Sequence, residues 1–329
     1  MAIFILSLLS KTTCCLARIA EILNPRVDRK SNEQRIRRFL DFDLPQMLIA
    51  QFVLAALPPG KKVISIDRTE HFFGKKAVNM LVLAVCWKGM AIPLFWINLD
   101  KRGCSNTDER IAIIRTLLKK LTKLEIGCVV ADREFASRRW LRYLKRARIN
   151  FVLRCKCDAL LEYKGKKQYS GNYFNHTGLR APVFLKNGKV YGSRVNVLGM
   201  QENMKGDKFI ILSNLELSGE EMLRYYKMRW EIETLFGALK TRGFNFESAQ
   251  ITEPARVERL LGLLTIAAVW VRKVGEEMGK RIPIKMKEFK DRPARPEQSL
   301  WSYGLSHIQP VLQFGYSKYL QWDTILKLL

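Results

Sequence analysis

The chain has 329 residues, 48% of them hydrophobic, with 57 Lys plus Arg against 31 Asp plus Glu and a net charge of +26. That length suits about two domains of roughly 150 residues each, and the apolar content supplies a sizeable core, which excludes a disordered or fibrous chain; the basic excess, spread along the whole sequence, points to an extended polyanion, most simply nucleic acid. Seven cysteines with no C-x-x-C pair and only three histidines argue against a zinc site, and the odd cysteine count suits a reducing cytoplasm.

The opening MAIFILSLLSK is apolar, but it lacks a basic n-region and is too short to span a bilayer. With no lipidation motif either, no membrane partner is expected. Residues 1–60 read as a helical N-terminal domain. One helix is expected over 3–23, stopping before Pro25. A second starts at Ser31, capped with Gln34, and carries Arg35, Arg37 and Arg38. A third starts at Asp43, with Pro45 in its first turn and Leu48, Ile49, Phe52 and Val53 buried. Pro58-Pro59-Gly60 closes the segment. Two readings of this bundle stand side by side: a small DNA-binding domain, or a helical cap whose arginines are solvated.

Residues 61–155 change period. Lys62–Asp67 (KVISID), Val78–Trp87 and Ala91–Leu99 read as strands, the last two joined by a tight hairpin at Lys88-Gly89. A helix follows from Asn106 or Thr107 through Lys120, then a strand at Cys128–Ala131, a helix at Ala136–Arg146 and a strand at Asn150–Arg154. The order βββαβαβ is that of an RNase H-like sheet, in which strands one and four lie parallel and adjacent. Asp67 and Asp132 end those two strands and would converge. Residues 156–207, with Tyr163, Tyr169, Tyr173, Phe174 and Tyr191 among lysines and glycines, read as an inserted β-rich subdomain. Its aromatics either stack on extruded bases or pack a small sheet. Lys208–Asn214 resumes the core sheet, so the core comprises 61–155 and 208–280.

Ser218–Lys240 (SGEEMLRYYKMRWEIETLFGALK) reads as one long helix, with Ser218 and Glu221 forming a capping box. At about 100° per residue, Tyr226, Arg229, Glu233 and Lys240 fall on one face. A phenol, a guanidinium, a carboxylate and an ammonium together suit a phosphate-handling site: the acid holds a divalent cation and the others grip phosphate oxygens. The bland alternative is a solvated face with an ordinary i,i+4 pair between Arg229 and Glu233. Beyond it, 254–278 reads as an apolar helix packed on the sheet. Residues 281–329 form a basic, Pro-containing linker followed by a helical segment with Trp301, Tyr303, Tyr316, Tyr319 and Trp322, either a terminal helical pair or a self-association surface.

The spacing Tyr-x2-Arg-x3-Glu-x6-Lys resembles the signature of the insertion-sequence-four family of DDE transposases. IDRTEHFFGKKAVNMLVLAV, LDKRGCSNTDERI and VADREFASRRWLRYLKR resemble that family's two aspartate regions. His71, Cys104 and Glu134 depart from the residues more usual there. The resemblance spans about 62–240. It implies catalytic and metal-binding roles for Asp67, Asp132 and Glu233, and DNA-phosphate contacts for Tyr226, Arg229 and Lys240. It also implies two Mg²⁺ ions, with Mn²⁺ as substitute, and double-stranded DNA as partner, both the element's terminal inverted repeats and target DNA. A homodimer in the active complex and a bacterial cytosolic, nucleoid-associated location are expected. Other readings are a catalytically inactive DNA-binding regulator, or an RNase H-like nuclease without strand transfer.

Overall fold

The structure, a computed structural model, describes residues 1–73, 76–240, 243–290 and 293–314. It is a mixed α/β architecture. Among the described residues ten strands form one sheet, in the order β3-β2-β1-β4-β5-β10-β9-β8-β6-β7. They are β1 (Lys62–Phe73), β2 (Lys76–Trp87), β3 (Met90–Leu99), β4 (Ile126–Ala131), β5 (Phe151–Arg154), β6 (Leu160–Tyr163), β7 (Lys166–Tyr169), β8 (Val183–Val190), β9 (Ser193–Gln201) and β10 (Lys208–Ser213). The chain divides into two compact units. One contains Pro58–Thr69 and Asn79–Glu233, the other Met1–Leu57, Glu70–Val78 and Thr234–Leu329.

In the first unit the centre of the sheet is made of short apolar runs buried on both faces: Ile64 and Ile66 in β1, Cys128–Ala131 in β4, Phe151–Leu153 in β5. β-branched residues suit such a surface. β1 pairs parallel with β4 and β4 parallel with β5, while β10 pairs antiparallel with both β5 and β9. The hairpin at Lys88-Gly89 forms as expected, both residues taking positive φ (47° and 97°), which matches the twist of the flanking strands. β1 runs on to Phe73, well past the Asp67 that was expected to end it, but its pairing with β4 stops at Ser65↔Val130. Residues 156–207 supply β6–β9, and these extend the same sheet. Within that segment Phe174 is fully buried and Tyr163 meets Tyr173 edge-on, as packing residues do, whereas Tyr169 is exposed.

Helix α5 (Thr107–Leu117) starts in a full capping box between Asn106 and Glu109, and α6 (Arg138–Arg146) starts at Ser137. The expected single helix over 218–240 is two: α7 (Gly219–Lys227) and α8 (Trp230–Leu239). The Ser218–Glu221 capping box is present. At the break the backbone tightens to i→i−3 bonds, Met228 N–H to Tyr225 O at 3.1 Å and Arg229 N–H to Tyr226 O at 3.0 Å. The Cys86 thiol donates to the Met228 carbonyl at 3.3 Å.

The second unit groups the N-terminal helices with residues from 234 onward, a grouping the linear reading did not anticipate. The expected helix 3–23 is α1 (Ala2–Lys11) and α2 (Leu16–Leu23), bent by 116°. Thr12 turns left-handed (φ 47°), and Cys14 N–H bonds Phe244 O at 2.7 Å, so a tertiary contact fixes the corner. Asp28, not Ser31, caps α3 (Arg29–Phe39), accepting the Ser31 N–H. Buried Asn32 donates to three carbonyls, those of Ala20, Asn24 and Val27, and so ties α2 to α3. α4 (Gln46–Ala56) follows Pro45 and exposes Leu48, expected in the core.

α9 (Pro254–Arg281) packs chiefly against α10 (Leu300–Phe314), α4 and α1, where the sequence reading set it on the sheet. The segment expected as linker carries a short ladder of β11 (Met286–Lys287) and β12 (Arg295–Pro296). Tyr316, Tyr319 and Trp322 lie outside the described residues, as do parts of the TRGFNFE turn (241–242) and of that linker (291–292). No single described helix is long and apolar enough to cross a membrane.

Glycines make a close helix contact in this unit. A Cβ on Gly304 would stand 2.0 Å from the Val271 carbonyl oxygen, and one on Gly275 would stand 2.1 Å from that of Leu300. Backbone cannot yield there as a side chain can. Gly304→Ala should therefore destabilise the protein by about 1–3 kcal/mol, as overpacking does. At Gly279 an added Cβ meets only Leu300 Cδ2 at 3.6 Å. Gly279→Ala should leave the melting temperature unchanged or raise it, through helix propensity. Thermal unfolding of the two variants checks the pair.

Candidate active site

Asp67 and Asp132 are positioned by strand pairing alone. The parallel register Ser65↔Val130, continued two residues, sets Asp67 level with Asp132, just beyond the last residue of β4. β4 ends just before Asp132, and β1 carries Asp67 two residues past its last position paired with β4, so the two acids come level where that pairing stops.

The third element is α7. Met222 and Tyr226, one helical turn apart, pack into a core of Val63, Cys128, Val130, Val152, Leu198, Phe209 and Ile211. That packing carries the Tyr226 phenol to Asp132, where it donates to Oδ1 at 3.4 Å. Burial pushes the Tyr226 pKa up, so it remains a donor. The break after α7 turns Arg229 inward. Its Nη1 stands 2.7 Å from Glu233 Oε1 and 3.8 Å from Asp67 Oδ2, and its guanidinium lies 5.6 Å from the Tyr226 ring centroid. The residue is only 5% exposed. One guanidinium thus links the first and third acids.

Asp67 also accepts the Arg68 N–H at 2.7 Å. Its pKa is nonetheless raised from 3.8 to about 6: burial is the main cause, opposed by the Arg68 bond and Arg229 and reinforced by Glu134 and Asp132. Glu134 accepts the Cys104 thiol at 3.6 Å, and its other carboxylate oxygen is buried with no hydrogen-bond partner.

The structure therefore brings Asp67, Asp132, Glu233, Tyr226 and Arg229 together. Tyr226 and Arg229, expected to grip DNA phosphates from a shared helix face, are instead buried with their polar ends on the acids. Two short helices replace the straight one that put them on that face. Lys240 belongs to the other unit, just past the end of α8, half-buried. His71, also of that unit, is a core residue, with its ring 4.9 Å from that of Phe246. Burial first, and Lys240 second, lower its pKa to about 3.

The donors suit a hard divalent cation: aspartate and glutamate oxygens, one of them on a carboxylate whose burial no cation fully offsets. Among the described residues, however, no group of three or more His, Cys, Asp or Glu stands close enough to hold a metal ion. The Glu233 carboxylate is exposed and held by Arg229. Sequence reasoning missed the buried polar residues around the acids, Asn79 and Arg110. The signal for Arg110 was there, since it falls on the same face of α5 as buried Ile113, Ile114 and Leu117.

The transposase DDE domain family matches residues 93–270, more than half of the chain. This chain belongs to that family. The match includes Asp132 and Glu233, while Asp67 precedes it. A transposase of this family works on DNA with divalent metal ions, and the basic charge is in keeping. The cryo-EM structure of the piggyBac transposase synaptic complex with hairpin DNA is similar at a TM-score of 0.49 and 12% identity, covering 100% of this chain and 76% of that one. No curated protein matches this sequence.

The raised pKa of Asp67 has a sign that can be checked. The folded protein holds a proton that the unfolded chain releases, so an ionised Asp67 costs stability. The cost is complete above about 6, shrinks as pH falls through the window toward 3.8, and is absent below it. In metal-free buffer Asp67→Asn should therefore melt higher than the parent at pH 7.5. The difference should close as pH is lowered from 6 to 4. A melting-temperature series against pH measures it.

Proposed function

We propose that this transposase is of the insertion-sequence-four family. In this reading it cleaves at its element's ends and joins them to target DNA from an RNase H-like core. The observation that carries it is the level placement of Asp67 and Asp132 on adjacent parallel strands, with Glu233 linked to Asp67 through Arg229. Asp67, Asp132 and Glu233 would hold two Mg²⁺ ions, with Mn²⁺ as substitute. Bound there, such ions would supply Lewis-acid stabilisation of the charge that develops in phosphodiester displacement. The chain's own groups do the rest. Tyr226 holds Asp132 by its hydroxyl, Arg229 keeps two acids together against their repulsion, and Lys240 takes a DNA phosphate. The spread of 57 basic residues tracks the double-stranded end and target DNA. A homodimer pairs two ends, and the protein works in the bacterial cytosol on the nucleoid.

Two observations favour a second reading, an inactive DNA-binding regulator: Arg229 engages Glu233, and no three-acid group close enough to hold a metal ion is assembled among the described residues. A cleavage and joining assay with element ends and Mg²⁺ separates the readings. Transposase activity gives both cut and joined products, a simple nuclease gives cuts alone, and a regulator gives neither.

Glu233→Gln should bind end DNA within a few-fold of the parent and give no detectable cleavage, while Glu231→Gln should cleave normally. Normal cutting by Glu233→Gln in Mg²⁺ would remove Glu233 from the site. Binding should also weaken steeply with salt. Lys240→Ala should shallow the slope of log K against log [salt] by about one unit. Arg229→Ala, at a buried position, should leave the slope unchanged.

A further inference from the structure

Arg110 is a charged residue in a place that does not favour charge. It is 4% exposed, and burial lowers its pKa against the raising effects of Glu134, Cys104 and Glu109. Its guanidinium is nevertheless well used. Nε donates to Ser105 Oγ at 2.8 Å, one Nη to the Ser105 carbonyl, and the other to the Glu134 carbonyl at 3.2 Å. The same group lies 4.6 Å from the Phe135 ring centroid. It therefore joins two stretches of irregular backbone: the loop of residues 100–106 after β3, and the turn of Arg133–Phe135 that immediately follows Asp132.

The loop is held from its other side by Asn79, 2% exposed, whose Nδ2 donates to the Lys101 carbonyl at 2.8 Å and to that of Gly103 at 3.0 Å. Asn79 Oδ1 accepts from Arg68 Nη1 at 3.3 Å, and Arg68 directly follows Asp67. A continuous polar path thus runs from the residue beside the first acid to the turn beside the second. Neither acid is part of it.

We propose that Arg110 is a positioning residue, whose guanidinium clamps the 100–106 loop to the turn after Asp132 and so fixes the second carboxylate relative to the first. This rests on the transposase reading for its consequence, though not for its geometry. Lysine is a poor replacement, because the contacts need a planar fork of separate donors. Groups that orient metal-binding residues typically change metal affinity or activity 10- to 100-fold when removed.

The test uses the full chain with Arg110→Lys and, as a milder variant that keeps the charge in place, Ser105→Ala. Hydrogen exchange by mass spectrometry reads the clamp without any reaction. Faster exchange confined to 100–106 and 132–137 is expected, larger in Arg110→Lys, with β4 and β5 unchanged. Strand cleavage is then followed across a Mg²⁺ series. A 10- to 100-fold fall at low Mg²⁺, partly restored at high Mg²⁺, with end-DNA binding within about three-fold of the parent, is expected. Arg272→Lys, at a buried arginine of the other unit, controls for general destabilisation and should leave the Mg²⁺ dependence unchanged. Unchanged exchange in 132–137 overturns the clamp. Local loosening with an unchanged Mg²⁺ dependence overturns the positioning role, as does loosening across the whole sheet. A parent that cuts no end DNA at any Mg²⁺ concentration sinks the transposase reading instead, and the exchange result still decides the clamp.

Discussion

The parallel pairing of β1 with β4 is the constraint on which the rest of the site depends. Parallel ladders have no short connection, so the chain between Ser65 and Val130 must leave the sheet edge, build the β2–β3 hairpin and return through α5. The register that results is specified by burial. Ile64, Ile66, Val129 and Val130 are all fully or nearly fully enclosed, and a one-residue slip would invert every side chain of the strand. Asp67 and Asp132 inherit their level placement from those apolar neighbours rather than from any attraction of their own, since two carboxylates repel. Burial in that imposed position is what chiefly raises the Asp67 pKa, with Asp132 a minor contributor.

Arg229 is the counterweight. It lies three residues past the core residue Tyr226, where the backbone tightens at Met228 and Arg229, and its guanidinium ends among the acids. In the interior a lone guanidinium would be costly, and it is tolerated because Glu233, Asp67 and the Tyr226 ring face it. The arrangement is one of charge compensation within the protein. It holds the acid of α8 beside that of β1, and it also uses the Glu233 oxygen that a cation would need. Competition for that oxygen makes Arg229 central to the proposed chemistry.

The second unit shows different physics. Its order comes from helix packing around α9, a helix buried along most of its length from Val257 to Met278. Two glycines, Gly275 and Gly304, let α9 and α10 approach at backbone distance, and Asn32 satisfies three carbonyls where α2 turns into α3. These contacts are between residues far apart in the chain or at irregular backbone, where periodicity carries no information.

By itself the sequence determined the local elements and the chemistry types. The apolar runs of β1, β4 and β5, the Lys88-Gly89 turn, the caps at Asn106 and Ser218, and the placement of Asp67 and Asp132 beyond paired apolar strands are all written in short-range pattern. The resemblance also implied a DDE transposase, and the family match over residues 93–270 bears out that coarser statement. Where long-range contacts compete with local preference, only the tertiary structure decided. The corner after Thr12 carries a hydrogen bond from Cys14 to Phe244, far along the chain. The break at Arg229 places a buried cation among acids contributed by β1 and α8, and the burial of Arg110 depends on a carbonyl in the turn after Asp132. A helical wheel places residues about one axis. It cannot show that the axis stops, where the Met228 carbonyl meets Cys86 and Arg229 meets Asp67, both from distant parts of the chain.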